Sequence, residues 1–203
     1  MEPNRIYDVA IALFRRNGIR TTDMSEVAVQ LKISTYALSE MCGDKRTLIR
    51  RCIRREVEQE VRWLEKVSAD CRISPLKLIV KIYMHSIRYA NSFTPTFFTE
   101  LMQESYFRLL WAGYRMLLGK KYRKLLDRCR QQHLCTPDCD LSVLTDFLCR
   151  RFREISSGEA VPNRTAPDLS GFIVRSVLTG NCTLSGKRIL QGNNEEHYEL
   201  NAL

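Results

Sequence analysis

The chain has 203 residues, 44% hydrophobic and 27% charged, with a formal net charge of +9 and eight cysteines. That length supports one small and one medium helical unit, each with a core of its own. No apolar run approaches the ~18 residues that cross a bilayer, and the charged start MEPNRIYDVA lacks the apolar core of an export signal, so neither a membrane span nor secretion is expected.

Ile6, Val9, Ala10, Leu13 and Phe14 recur at the i, i+3, i+4, i+7, i+8 spacing of a helix with one apolar face. Asn17-Gly18 is the predicted stop, since both residues tolerate a left-handed turn. Thr22 is placed to cap a second helix with Met24, Val27, Ala28 and Leu31 inward, and Asp23 complements the positive end of its dipole. Lys32-Ile33-Ser34 reads as a tight turn. Ser34 then caps a third helix over residues 35–42 with Leu38 and Cys42 on its inner face. Gly43-Asp44 restarts the chain into a fourth helix over residues 45–67, with Leu48, Cys52, Ile53, Val57, Val61 and Leu64 inward. Two helices about a tight turn leave the outer face of the third helix free to enter a DNA major groove.

Ser74-Pro75 opens a fifth helix reaching about residue 91, apolar nearly all round, the pattern of a helix surrounded by others. Thr94-Pro95 opens the next, and residues 95–132 are predicted helical with a break near Ser105 or Gly113. Thr136-Pro137-Asp138 is a loop, residues 141–155 an amphipathic helix, residues 156–168 a polar linker, and residues 172–178 part of the last substantial helix. The polar tail from Gly180 has only Leu184 and Ile189-Leu190 as anchors. With no strand-length alternation, the expected class is all-α. A three-helix helix-turn-helix domain spans 1–48 and a second helical domain spans 49–203, the two joined by the helix at 45–67.

Lys and Arg outnumber Asp and Glu by 13 to 10 in residues 1–67, by 12 to 4 in 68–135, and fall behind by 7 to 9 in 136–203. Most of the basic excess thus lies outside the helix-turn-helix segment and says little about DNA. The run Lys45, Arg46, Arg50, Arg51, Arg54 and Arg55 at the start of the fourth helix is more telling, and Glu56, Glu58 and Glu60 reverse the sign beyond it.

Residues 5–48 resemble the DNA-binding domain of the TetR family of bacterial transcriptional repressors. The likeness rests on Ile6, Ala10, Leu13, Phe14, Gly18, Thr21-Thr22, Val27-Ala28, Ile33-Ser34, Leu38, Lys45 and Leu48, in gapless order over about 45 residues. Lys32 stands where the family usually has glycine, Tyr36-Ala37 where it has Gly-Thr, and Ser39 and Cys42 where it has tyrosine and phenylalanine. These departures leave the scaffold intact and bear on the DNA contacts. The resemblance implies a cytoplasmic homodimeric regulator of double-stranded DNA, a repressor released from a pseudo-palindromic operator by a small-molecule effector, with no cofactor, no metal and no membrane partner. The alternative is a TetR-like scaffold that has lost specific DNA binding and serves as a ligand- or protein-interaction module; the atypical recognition helix motivates it.

By family position, Thr22 and Lys45 contact phosphates, which set register. Ser34, Thr35, Tyr36, Ala37, Ser39 and Glu40 lie at the groove, where base-edge contacts set sequence. Tyr36 can stack on sugar or a thymine methyl, and Glu40 can accept from a cytosine amino group or swing away to Lys32 or Arg46. Family members hold ligand between the helices corresponding to residues 83–116, and binding tilts the fourth helix and parts the recognition helices. Here the lining would be Tyr83, His85, Tyr89, Phe93, Phe97, Met102, Gln103, Trp111 and Tyr114, residues that would equally suit a plain core. In the family the last two major helices pair with their mates. The matching stripes are Leu144, Leu148, Phe152 and Ile155, and Phe172, Ile173, Val177 and Leu178, which could also pack inside the monomer. A two-fold dimer would set the recognition helices ~34 Å apart.

The eight cysteines lack a disulfide framework, which indicates reduced thiols. Cys129, His133, Cys135 and Cys139 have donor types suited to zinc, but their spacing matches no zinc signature. Structural cysteines are the favoured reading, with metal binding or a redox thiol pair as the alternatives. No Gly-rich phosphate loop, nucleophile elbow or His-Glu-x-x-His pair occurs, and the histidines are only His85, His133 and His197, so no enzymatic activity is expected.

Overall fold

The computed structural model describes residues 3–157 and 167–191, with side chains over 4–150 and 170–191. Within them run α1 (Pro3–Asn17), α2 (Met24–Leu31), α3 (Thr35–Cys42), α4 (Lys45–Ser68), α5 (Pro75–Asn91), α6 (Pro95–Met102), α7 (Ser105–Gln131), α8 (Leu141–Ser157), α9 (Pro167–Gly180) and α10 (Leu184–Gln191). Among the described residues there is no strand; the one β pairing is an isolated antiparallel bridge between Cys135 and Cys182. None of the described helices is long and apolar enough to cross a membrane.

The chain divides into two compact units: residues 1–63 with 91–114, and residues 64–90 with 115–203, over their described parts. The expected boundary at residue 48 is therefore displaced. Most of α4, all of α6 and the first part of α7 belong with α1–α3.

In the first unit the apolar stripe of α1 is buried at Ile6, Ala10, Leu13 and Phe14, joined by Val27, Ala28, Leu31, Leu38, Cys42 and Leu48. Each fully buried aliphatic or aromatic side chain stabilises such a core by about 1.5–3 kcal/mol. Gly18 closes α1 with φ +93° and its N–H donates to the Phe14 carbonyl at 2.9 Å, a conformation that side chains bearing a Cβ resist. Thr22 does not cap α2. Asp23 holds the N-cap position without a side-chain bond, while Thr22 is buried and its hydroxyl donates to the Gly18 carbonyl at 2.8 Å.

The second unit buries Leu76, Leu78, Ile79 and Ile82 of α5, Leu118, Tyr122, Leu125 and Leu126 of α7, and residues of α8, α9 and α10. The helix break predicted near Ser105 or Gly113 falls at Gln103-Glu104; Gly113 lies inside α7. The tail forms a helix that was not expected, α10. Leu190 anchors it, but Leu184 is 78% exposed and anchors nothing. Of the predicted dimer stripes, Leu144, Leu148 and Leu178 are buried within the monomer and so are unavailable to a partner. Phe172 and Ile173 are exposed, as is Val143, and Val177 is half-buried. Phe152 and Ile155 lie on α8, with side chains outside the described residues.

Candidate nucleic-acid interface

The turn between α2 and α3 is built by Lys32, whose φ of 59° places a non-glycine residue in the left-handed region. Its N–H donates to the Val29 carbonyl at 3.0 Å, and the Ile33 N–H donates to Ala28 at 3.0 Å, so orphan carbonyls at the end of α2 are satisfied. Ser34 caps α3 as anticipated, its Oγ accepting from the Ala37 N–H at 3.1 Å. Leu38 and Cys42 face inward and are buried. Thr35, Tyr36, Ser39 and Glu40 face outward, with Ala37 half-buried at the edge. Tyr36 is 76% exposed, a large ring standing clear of the protein. Glu40 is exposed and forms no ion pair among the described residues, so it has not turned to Lys32 or Arg46.

The expected phosphate contacts look different. With its side chain 0% exposed, Thr22 offers no hydroxyl to a ligand. Lys45 is partly exposed; its Nζ donates to the Arg20 carbonyl at 3.2 Å and lies 3.9 Å from Asp23. The basic run of α4 is engaged internally: Arg46 and Arg50 pair with Glu104 at 3.4 Å, Arg54 with Glu58 at 2.8 Å, and Arg55 with Asp8 at 2.6 Å. Arg51 donates to the Met41 carbonyl at 3.5 Å. Asp44 receives the Thr47 N–H at 2.7 Å, and hydrogen bonds from Thr47 hold its carboxyl below the usual range. An anion is thus already seated at the start of α4.

Sequence reasoning missed the supports that α6 and its flanks lend to this surface. Glu100 accepts from the backbone N–H groups of Ile19 at 2.5 Å and Arg20 at 3.1 Å, clamping the turn before α2. Thr94 caps α6 and donates its hydroxyl to the Arg15 carbonyl at 2.8 Å, while the Arg15 guanidinium lies 4.9 Å from the Phe93 ring centre and pairs with Glu56. These contacts span 41 to 81 positions, beyond the reach of any local pattern. Glu100→Ala is expected to destabilise the first unit by about 1–2 kcal/mol, since two N–H groups lose a charged acceptor. Urea unfolding checks this, and a change below ~0.3 kcal/mol would mean that water replaces the carboxylate fully.

The predicted effector lining divides between the units. Phe93, Phe97, Trp111 and Tyr114 lie in the first as a packed aromatic cluster, with Phe93–Phe97 stacked at 5.7 Å and Phe93–Trp111 edge-on at 5.7 Å. Met102 is half-buried there, and Gln103 is at the surface, accepting from Arg20. Tyr83 is buried in the second unit, with His85 and Tyr89 half-buried. An open groove of about 600 Å³ in the second unit lies instead between α7 and α8, lined by Arg115, Met116, Leu118, Arg123, Thr145 and Asp146 among others. None of the predicted lining residues contributes to it.

No family model matches the sequence, and no curated protein does. Solved structures do match in fold. The repressor SmeT of a Stenotrophomonas maltophilia multidrug efflux pump superposes with TM-score 0.66 at 14% identity, over 92% of this chain and 93% of that one. A ketosteroid transcriptional regulator of Mycobacterium tuberculosis gives 0.62 at 16%, over 89% and 94%. The TetR family regulator PfmR of Thermus thermophilus gives 0.62 at 17%, over 88% and 96%. The fold is thus that of TetR-type regulators along nearly the whole described chain.

Proposed function

We propose that the chain is a DNA-binding transcriptional regulator that inserts α3 into a major groove. The observation that carries this reading is the division of α3 into a buried face, Leu38 and Cys42, and an exposed one, Thr35, Tyr36, Ser39 and Glu40, on a helix capped at its start. The fold it shares with solved transcriptional regulators supports the same reading. A homodimer formed through exposed Val143, Phe172 and Ile173 would read a pseudo-palindrome, two copies presenting two recognition helices. A small-molecule effector completes the proposal. The groove between α7 and α8, where Arg115, Arg123 and Asp146 meet Met116 and Leu118, has room for one. Such a regulator works in the cytoplasm, where it meets DNA.

The alternative, a scaffold without specific DNA binding, draws on particular contacts. Arg46, Arg50, Arg54 and Arg55 of α4 are paired with carboxylates, Thr22 is buried, and Glu40, without an ion pair among the described residues, stands on the docking face. Selection of bound fragments from random DNA, followed by a salt titration, separates the two. The regulator reading expects a specific site bound by two copies, log affinity falling as log salt rises. Tyr36→Ala should weaken that site about 10–100-fold at unchanged helicity, the loss of one base contact. Absence of enrichment at low salt would establish the scaffold reading.

A further inference from the structure

After α7 the chain turns through His133, left-handed at φ 53°, and residues 134–136 run antiparallel to residues 181–183 between α9 and α10. The Thr136 N–H donates to the Asn181 carbonyl at 3.1 Å and the Thr183 N–H to the Leu134 carbonyl at 3.0 Å. These two bonds flank Cys135 and Cys182 and make them the directly opposed, non-hydrogen-bonded pair of the bridge. At such a site Cα atoms stand about 4.5 Å apart with side chains on the same face, within the span a disulfide bridges.

Two more thiols join them. Cys129 and Cys139 lie, like Cys182, close enough to Cys135 to act on its thiol, all four being free and buried. Cys182, 47 positions from Cys135, takes the place that spacing had offered to His133, which is exposed. Among the described residues no group of His, Cys, Asp or Glu is arranged to hold a metal ion. Hydrogen bonds from Cys129 and Cys182, then Cys139 and the charge of Arg130, hold the Cys135 thiol below its ordinary range; the same contact with Cys135 raises Cys129 and Cys182. Cys135, opposed to Cys182 across the bridge, is thus the thiol of the group that its surroundings favour as the nucleophile.

We propose that Cys135 and Cys182 form a modification site that a small hydroperoxide converts into a disulfide, Cys135 reacting first and Cys182 resolving it. The Cys135 thiolate attacks one peroxide oxygen and the O–O bond breaks. Cys135 becomes a sulfenic acid and the departing oxygen takes a proton to leave as alcohol or water. The Cys182 sulfur then attacks the sulfenic sulfur, the S–O bond breaks, and hydroxide leaves with the Cys182 proton as water. Two thiols and one hydroperoxide thus give one disulfide, one alcohol (or water) and one water, with two electrons passing from sulfur to oxygen. Burial of the pair, Cys135 being 6% exposed, selects a small oxidant over a bulky disulfide. The product ties the α7–α8 loop to the α9–α10 junction, and this inference stands whether or not the chain binds DNA.

The test uses the full chain with Cys71→Ser, which removes the one exposed thiol. Treated with hydrogen peroxide after reduction, it should lose two thiols and about 2 Da, and non-reducing peptide mapping should join the peptides of Cys135 and Cys182. Glutathione disulfide should act at least about tenfold more slowly. Cys182→Ser should leave a sulfenic acid on Cys135 that dimedone tags, while Cys135→Ser should give no Cys182 disulfide. The mapping of Cys135 and Cys182 needs no substitution within the thiol cluster, only at exposed Cys71. Bonding chiefly of Cys135 to Cys129 or Cys139, full retention of the four thiols, or one equivalent of tightly held zinc shielding them would each overturn the proposal.

Discussion

Leu38→Ala is expected to lower the stability of the first unit by about 2–5 kcal/mol, the range for emptying a closed aliphatic site. Leu38 is 0% exposed and, with Cys42, is what holds α3 inward. An eight-residue helix is not stable alone, so the loss should fall on α3 before the rest of the unit. Against a domain stability of roughly 5–15 kcal/mol, the variant should unfold at clearly lower urea and lose amide protection first between residues 35 and 42. A shift under ~1 kcal/mol would mean that neighbours close the gap and α3 is held by other contacts.

Gly186→Ala should also destabilise, for the opposite reason. A Cβ at this position would sit 2.4 Å from the Leu134 carbonyl oxygen, 3.0 Å from Cys182 Cβ and 3.2 Å from Cys182 Sγ. The nearest of these is backbone, held by its bond from the Thr183 N–H, so α10 has to lift. Overpacking of this kind costs about 1–3 kcal/mol or more. The displaced helix should also bare Cys182, and thiol labelling of the native protein should quicken at that residue. Unchanged melting temperature and labelling rate would show that α10 docks loosely.

The first helices were legible because their signals are local. The stripe from Ile6 to Phe14, the Asn17-Gly18 stop, the Ser34 cap and the Thr94-Pro95 start each depend on residues within one or two turns. Thr22 misled because a threonine before a helix has two uses for its hydroxyl. Here it reaches back to the Gly18 carbonyl instead of forward to α2. Leu144, Leu148 and Leu178 misled differently: periodicity identifies an apolar face but not what covers it, and the monomer's own helices do. The short α10 escaped notice because LSGKRILQ buries little beyond Gly186 and Leu190. Glu100 and Cys182 lay out of reach for a reason of distance, since each acts on residues dozens of positions away.

The two stretches that make up the first unit have a practical consequence for anyone who would graft this chain. Residue 48 is not a seam. A fragment ending there would carry Arg15 without Glu56 and Phe93, and Ile19 and Arg20 without the carboxylate that grips them. Chimaeras that borrow α3 must take residues 91–114 along with it, because both stretches belong to one compact unit.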